Sequence, residues 1–409
     1  MKDRFFLFLL VAGTLLAGSL AQAEWHRFRG PNGNGYIAGN AKVPTRLNAE
    51  TLAWKAPLPG RGLGSAILIG DKVIVSAAGG PHQDKLEVVC FSNKDGATLW
   101  RRAFWATGRT MCHKKTCVAA PTPTTDGRNI YVLWSSNDLL SLDLDGNLRW
   151  MRGLTLDYPN ASNSLGMASS PLIVGDTLVA QIENDSESFA AGFDLATGIN
   201  KWKIDRPKAA NWTSPVTMKF GGETIVALQS SKGVTGVSAS TGSALWNFSR
   251  GASTIPSSAA AGDTLIVPSR GLTALKPNDK GGEPASLWSQ KTQKPATGSP
   301  LITGTRYFFI NSAGVLTAAD RVTGDRLWRI RVKGPFSGSP VSCDNGHLYL
   351  FNEKGLAQVV DLSGEEGKVV SEFDLGQTIL GTASIAGNAI FIRSDQTLWK
   401  FAATESEDS

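Results

Sequence analysis

Two cysteines and a histidine lie close together in one segment, and their spacing allows three kinds of chemistry. Cys112 and Cys117 flank the run His113-Lys114-Lys115-Thr116. A disulfide would close a small loop, a metal site would also use His113, and two free thiols would do neither. Three ligands without a second Cys/His cluster form a weak zinc pattern. The disulfide is the prediction, with free thiols and a metal site as alternatives.

Other catalytic patterns are scarce in this sequence. The chain has only four histidines, and neither a Ser-His-Asp arrangement nor a c-type haem motif can be defended. The formal net charge is +6, and the lysines and arginines are scattered without long basic runs. These features argue against nucleic-acid binding.

The element that positions these side chains is a repeat in which a glycine precedes a tryptophan by four residues. It occurs at Gly96/Trp100, Gly146/Trp150, Gly198/Trp202, Gly242/Trp246 and Gly324/Trp328. With Trp54 and Trp288 included, successive tryptophans lie 40 to 52 residues apart. A period of this length with several strands per unit predicts a β-propeller.

Each repeat unit divides into four short strands, A to D, joined by turns. In the third unit, strands A to D are predicted at 168–174, 177–182, 189–195 and 200–204, where apolar and polar positions alternate. Eight A–B hairpins predict eight four-stranded antiparallel blades, so the fold class is all-β. The last unit lacks strand D, and we expect the early strand 51–58, which carries Trp54, to complete that blade and close the ring.

The repeated tryptophans are predicted to be structural. A buried tryptophan removes ~200 Å² from water, which contributes about 5 kcal/mol before opposing terms are counted. The series is Trp54, Trp100, Trp150, Trp202, Trp246, Trp288 and Trp328. The seventh unit has no tryptophan, and Phe373 is expected in its place.

The N-terminal stretch 1–23 has the features of an export signal. Lys2 and Arg4 precede the apolar run 5–18, and Ala21-Gln22-Ala23 offers a cleavage site before Glu24. We therefore expect a mature protein in the periplasm or outside the cell. The domains predicted are a cleaved signal peptide (1–23), an N-terminal segment packed on the propeller (24–50), the propeller (51–402) and a polar tail (403–409).

Two stretches carry a family resemblance. Residues 194–202, DLATGINKW, and residues 320–328, DRVTGDRLW, resemble the repeat signature of PQQ-like β-propellers. The start of the mature chain, WHRFRGPNGNG at 25–35, is similar to the opening of many exported bacterial propellers of this kind. The family includes quinoprotein dehydrogenases and non-catalytic proteins such as the propeller lipoprotein of the outer-membrane barrel-assembly machine.

The resemblance implies a choice between an enzyme and a binding protein. The alcohol-oxidising quinoproteins place an adjacent Cys–Cys disulfide over pyrroloquinoline quinone, and no two cysteines are adjacent here. Their calcium ion needs convergent oxygens, which the neighbouring residues Glu183, Asn184 and Asp185 do not supply by default. We therefore predict no cofactor, no metal and no catalytic residue. A quinoprotein with pyrroloquinoline quinone and calcium is the alternative.

Binding is predicted on the face that carries the D–A and B–C connections. Three D–A loops are long (105–116, 155–164 and 206–210), and all lie in one sector. Long loops on a rigid scaffold are where function concentrates. The candidate binding residues are His113, Lys114, Asn137, Asp138, Asp157, Tyr158, Asn160, Asn163, Glu183, Asn184, Asp185, Asn211 and Trp212.

The resulting hypothesis is an exported, monomeric, non-catalytic propeller that binds a partner of the cell envelope. The partner is a protein or a glycan, and a carbohydrate-binding propeller is the second alternative. We expect no nucleic-acid binding. We also expect no transmembrane segment in the mature chain.

Overall fold

Eight four-stranded antiparallel blades surround a central channel, as the repeat predicts, and the N-terminal segment adds a fifth, parallel strand to one of them. The computed structural model describes residues 24–39, 42–162, 165–278 and 281–403. The predicted signal peptide and residues 404–409 of the predicted tail lie outside this range. Within it, no helix is long and apolar enough to cross a membrane.

The strands are numbered in chain order. Two strands precede the first blade: β1 (Tyr36–Ile37) and β2 (Leu52–Pro57). Blade 1 contains β3 (Ile67–Ile69), β4 (Lys72–Gly79), β5 (Lys85–Ser92) and β6 (Thr98–Trp105). Blade 2 contains β7 (Thr124–Thr125), β8 (Asn129–Leu133), β9 (Asp138–Asp143) and β10 (Leu148–Gly153), followed by the short helix α1 (Leu154–Asp157). Blade 3 contains β11 (Leu172–Val174), β12 (Thr177–Ile182), β13 (Phe189–Asp194) and β14 (Asn200–Asp205). Blade 4 contains β15 (Val216–Phe220), β16 (Glu223–Ser230), β17 (Gly233–Val237) and β18 (Ala244–Phe248).

The second half of the ring repeats this pattern. Blade 5 contains β19 (Ala259–Ala261), β20 (Thr264–Pro268), β21 (Leu272–Lys276) and β22 (Ala285–Gln290). Blade 6 contains β23 (Leu301–Thr303), β24 (Arg306–Ile310), β25 (Val315–Asp320) and β26 (Arg326–Arg331). Blade 7 contains β27 (Val341–Cys343), β28 (His347–Phe351), β29 (Leu356–Asp361) and β30 (Lys368–Asp374). Blade 8 contains β31 (Ser384–Ala386), β32 (Ala389–Arg393) and β33 (Thr397–Ala402), and its outer strand is β2, which pairs antiparallel with β33.

The Gly–Trp motif joins consecutive blades. Trp150 at the outer edge of blade 2 lies over Gly198, in the turn before the outer strand of blade 3, and its indole Nε1 donates to the Leu195 carbonyl at 2.9 Å. A Cβ on Gly198 would lie 2.6 Å from the Trp150 ring. The glycine therefore provides both the positive φ of the turn and the space for the neighbouring indole.

The same contact recurs around the ring, with the tryptophan of one blade over the glycine of the next. The pairs are Trp54/Gly96, Trp100/Gly146, Trp202/Gly242 and Trp288/Gly324. In each of them the indole donates to a carbonyl of that next blade at 2.8 to 3.0 Å.

Blade 5 departs from this pattern because its turn before the outer strand is longer. The indole nitrogen of Trp246, which faces that turn, has no partner among the described residues. Trp246 instead forms an isolated parallel bridge with Gly282. In blade 7 the expectation for Phe373 is wrong, because Ser371 holds the register position of the tryptophan: it pairs with Val359 just before the ladder irregularity, as Trp328 pairs with Ala318 in blade 6. Phe373 lies two residues further along β30, and its ring packs edge-on against Phe401 of blade 8 at 5.8 Å between centroids.

The N-terminal segment crosses one end of the channel and then runs out to the rim. Carbonyl groups of Trp25, His26, Asn34 and Gly35 accept hydrogen bonds from the inner strands of blades 1, 2, 6 and 7. β1 then pairs in parallel with β27. The backbone carbonyls at 43 and 44 accept from blade 7 side chains, so the chain passes beneath that blade before it enters blade 8 as β2. We call this end, where the A–B turns lie, the turn face, and the opposite end the loop face.

Candidate binding face and central cavity

A cavity of about 370 Å³ occupies the channel and opens on the loop face. Its floor is Phe28 of the N-terminal segment, which closes the channel from the turn face. Around the mouth stand apolar side chains from five different D–A connections, namely Leu63, Leu165, Trp212, Ile255 and Leu380. The wall is therefore apolar at the opening and polar below it.

The polar level of the wall is a ring of eight hydroxyl side chains, one from each blade. Thr122 Oγ1 accepts from the backbone N–H of Ser65 at 2.9 Å, and Ser170 Oγ accepts from Thr122 N–H at 3.0 Å. The remaining links join Ser170 to Ser214, Ser214 to Ser257, Ser257 to Ser299, Ser299 to Ser339 and Ser339 to Thr382 at 2.9 to 3.0 Å. Ser65 Oγ donates to the Thr382 carbonyl at 2.8 Å and completes the circle.

The loop after blade 1 extends over the cavity mouth. Lys115 Nζ lies 2.9 Å from Glu353 Oε1 in blade 7, and Ser337 donates to the same oxygen at 2.8 Å. Arg61 donates to the Lys114 carbonyl at 2.6 Å. The predicted binding residue His113 lines the mouth, and its Nδ1 accepts from the Lys115 N–H at 3.2 Å.

Cys112 and Cys117 are both thiols in the structure, so the predicted disulfide is not formed. Cys117 is wholly buried, whereas Cys112 packs against Gly166 and faces the Ser135 hydroxyl. Burial raises the pKa of Cys117 to about 12 and also raises the pKa of Cys112. Both thiols are therefore protonated near neutral pH when no metal is bound.

Two of the predicted binding residues are buried and stabilise the loops through internal hydrogen bonds. Asp138 is fully buried, and its carboxylate accepts from the Thr107 and Ser136 hydroxyls at 2.6 Å each. Asn137 is buried at a positive φ of 64°, with its side chain donating to the Ala161 carbonyl. Both side chains are buried and therefore cannot contact a partner.

The next predicted residues form a buried ion-pair network. Glu183 Oε1 accepts from Arg206 Nε at 2.7 Å, and Oε2 accepts from Asn211 Nδ2 at 2.8 Å. Asn184 bonds to backbone groups of its own hairpin. Glu183, Asn184 and Asn211 are buried, so the structure does not bring them to the surface. Sequence polarity alone could not distinguish buried loop carboxylates from exposed ones.

The remaining predicted residues are at least partly accessible. Asp157 pairs with Arg152, and Asp185 Oδ1 accepts from the Ala210 N–H at 3.1 Å. Tyr158 packs on Phe189 with 4.7 Å between ring centroids, and its hydroxyl accepts from Asn200 at 2.9 Å. Lys114 and Asn160 are exposed, and Trp212 lines the cavity mouth. Asn163 lies outside the described residues.

Four exposed apolar side chains were not among the predicted binding residues. Trp105, Met111, Leu156 and Leu165 are 70%, 55%, 72% and 41% exposed. The two loops that carry them are interlocked, since His113 N–H donates to the Leu165 carbonyl at 2.8 Å and Gly108 abuts Thr155. We call these four residues the apolar patch. The signal in the sequence was apolar residues within otherwise polar loops.

A calcium ion is not matched by the donors at the cavity. No carboxylate is among the side chains that line it, and both oxygens of Glu183 are engaged by Arg206 and Asn211. A guanidinium directly on the carboxylate disfavours a cation at the same place. In the part of the chain that the structure describes, no three His, Cys, Asp or Glu side chains converge in a metal-binding arrangement.

Comparison with known proteins agrees with the architecture. The sequence profile of the family described as outer membrane protein assembly factor BamB matches residues 30–182, 84–254, 247–335 and 312–408. A comparison with curated proteins by sequence alone finds no significant match.

The solved structures that resemble the chain include a BamB protein and quinoprotein dehydrogenases. BamB from Moraxella catarrhalis is 14% identical with a TM-score of 0.58, covering 86% of this chain and 98% of that protein. A quinohemoprotein alcohol dehydrogenase from Comamonas testosteroni is 12% identical with a TM-score of 0.69, covering 93% and 80%. A europium-containing methanol dehydrogenase is 12% identical with a TM-score of 0.68, covering 93% and 98%. At these identities the likeness concerns the fold alone.

Proposed function

Because this chain belongs to the family described as outer membrane protein assembly factor BamB, we propose that it is an exported, non-catalytic propeller that binds a partner protein of the cell envelope. The proposal places the partner on the loop face, over the interlocked loops that follow blades 1 and 2. Export is supported by the charged start, apolar run and cleavage site within the stretch 1–23.

The apolar patch is the observation that carries this proposal. Single exposed apolar side chains are normal on soluble proteins, whereas apolar side chains gathered in one region often mark a binding site. The contacts between the two loops bring these four side chains to one region of the loop face. The backbone beneath the patch is held firmly, because the buried Asp138 carboxylate binds the loop at Thr107 and the Asn137 carbonyl accepts from the Leu154 N–H at 2.9 Å. A rigid apolar surface loses little conformational entropy on association.

The charges around the patch indicate what kind of protein would bind. The loop of residues 105–117 has no acidic residue and carries Arg109, Lys114 and Lys115. Arg109 and Lys114 are exposed. A partner surface with acidic groups around apolar side chains matches this arrangement. The leucine and methionine side chains among the four favour a protein over a glycan.

The quinoprotein alternative is not favoured by the donors present. The cavity is lined by apolar side chains and hydroxyls, and its lining offers no carboxylate to a calcium ion. The likeness to dehydrogenases, at 12% identity, extends to the fold alone. We therefore propose a binding role without a quinone.

The test removes the apolar patch and measures partner binding. In Trp105→Ala/Leu156→Ala, we expect the protein captured by the wild type from envelope extract to bind at least about tenfold more weakly once purified, since a lost anchor costs about 1–2 kcal/mol or more. Thermal midpoints should stay near wild type because both side chains are exposed.

The matched control is Ile199→Ala/Val322→Ala. These side chains are 65% and 67% exposed, comparable to the patch, but they lie in turns on the turn face. Binding should be unchanged in this variant. If the patch variant binds as tightly as the wild type, or if both double variants weaken binding equally, the proposed face is wrong.

A further inference from the structure

Arg29 is a fully buried guanidinium at the closed end of the channel. It donates to the Ser258 carbonyl at 3.2 Å and to the Pro300 carbonyl, which belong to blades 5 and 6. Its Nε has no hydrogen-bond partner among the described residues. The side chain thus anchors the N-terminal segment while one of its donors stays unused.

No carboxylate balances this charge in the part of the chain that the structure describes. The partners of Arg29 are carbonyls, and those of Arg27 are carbonyls and the Thr217 hydroxyl. Burial lowers the pKa of Arg29 to about 9 and that of Arg27 to about 10, and no acidic group counteracts this. Two buried arginines elsewhere do have an acidic neighbour: Arg206 bonds to Glu183, and Asp395 lies near Arg393.

A small void lies beside Arg27 and Arg29, just below the hydroxyl ring. Its volume is about 10 Å³, close to what one water-sized particle requires. Ser170, Ser214 and Ser257 line both this void and the cavity above it. Their oxygens already accept backbone N–H groups, so their hydroxyl hydrogens remain available to donate. Two guanidiniums and several hydroxyls surround the void, and no carboxylate lines it.

We propose that this void holds a monovalent anion of halide size, which balances the charge of Arg29 and fastens the N-terminal segment in the channel. A buried charge requires a countercharge or dense hydrogen bonding. A water molecule would satisfy a donor but would leave the charge unbalanced. A carboxylate or phosphate is too large for the space. Chloride is only slightly larger than water and accepts several hydrogen bonds at once.

Crystals of the wild-type protein grown with sodium bromide provide a direct test. We expect an anomalous bromide peak within hydrogen-bonding distance of Arg29 Nε. Ordinary water density at that place without an anomalous peak would overturn the proposal. This measurement does not depend on a variant and stands even if substitutions at Arg29 prevent folding.

A solution experiment tests the linkage to stability. At equal sodium concentration, the wild type should melt roughly 2 °C higher in chloride than in gluconate, because a ligand that binds only the folded state stabilises it. Arg29→Gln should abolish this difference. Glu183→Gln/Arg206→Gln, which removes a buried guanidinium together with its own countercharge, should keep it. The same chloride effect in Arg29→Gln as in the wild type would contradict the assignment.

Discussion

At the scale of single residues, the hydroxyl ring shows how blades are joined at the channel. Seven of the eight ring oxygens accept the backbone N–H of the preceding blade, so one small side chain satisfies a donor that would otherwise be buried without a partner. The eighth, Ser65 Oγ, donates to the Thr382 carbonyl. The recurrent Ser-Pro or Thr-Pro at strand A starts marked these positions in the sequence. That the hydroxyls link into a circle followed only from the structure.

Ser170 and its neighbour Ser169 provide a matched pair for testing this role. Both are buried, but Ser170 Oγ accepts the Thr122 N–H, whereas Ser169 Oγ has no partner among the described residues. Ser170→Ala should lower the free energy of unfolding by about 1–3 kcal/mol because it leaves a buried N–H unsatisfied. Ser169→Ala should change it by less than about 0.5 kcal/mol. Urea unfolding measures both, and equal losses would exclude the ring as the cause.

Replacing Arg206 in the Glu183–Arg206 pair should cause a loss of stability that depends on pH. Burial raises the pKa of Glu183, and Arg206 opposes this rise. A carboxyl whose pKa is higher in the folded state contributes stability that is fully present below its unfolded pKa and lost as the pH rises through its folded pKa. Arg206→Met removes the countercharge and raises that pKa further. It should therefore cost about 3–5 kcal/mol at pH 7, and less at pH 5 than at pH 8.

Thermal unfolding at the two pH values checks this prediction. Glu183→Gln/Arg206→Met should recover part of the loss, because no unpaired charge remains buried. A loss that is the same at pH 5 and pH 8 would show that Glu183 is not the responsible group. The pair also explains why Glu183 is unsuitable for a binding-site variant, since replacing it changes stability together with any effect on a partner.

At the scale of elements, the Gly–Trp motif links neighbouring blades at five of the eight junctions around the ring. The spacing placed the glycine in a turn and the tryptophan on the outer strand, which the structure confirms. The partner of each tryptophan, however, is the glycine of the following repeat unit. A pattern within one repeat does not reveal this, because both residues also serve their own blade.

A comparison of Gly242 with Gly222 distinguishes the need for a positive φ in the turn from the need for space beside the indole. Gly242 and Gly222 have φ angles of 72° and 81°. A Cβ on Gly242 would lie 2.6 Å from the Trp202 ring, whereas a Cβ on Gly222 would meet nothing within 4 Å. Gly222→Ala should cost about 1–2 kcal/mol through backbone strain alone. Gly242→Ala should cost about 1–3 kcal/mol more because of the clash, as denaturant unfolding would show. Equal costs would mean that the indole adjusts freely.

At the scale of the whole molecule, the two faces have different tasks. The N-terminal segment closes the turn face and supplies the cavity floor at Phe28. The loop face carries the cavity mouth, the long loops and the apolar patch. Because the blades interlock, both faces are held in fixed positions, and we expect the proposed binding at the patch to require no rearrangement of the scaffold.

The sequence by itself determined the all-β architecture, the eight blades and the turn positions. These follow from local rules, namely strand alternation, glycine at positive φ and a repeat period, each of which acts within a single repeat unit or between adjacent ones. It also placed the long loops in one sector. It did not separate the loop side chains that hold the scaffold, such as Asp138 and Glu183, from those that face solvent.

Only the tertiary structure decided which polar groups are buried and what closes the channel. Arg29 reaches Ser258, which is 229 positions away in the chain, and the hydroxyl ring joins eight blades at once. Burial and electrostatic balance depend on all neighbours in space, most of which are remote in sequence. For that reason several of the binding residues predicted from polarity have a structural role instead. The exposed apolar side chains of the loops are the better candidates for contact with a partner.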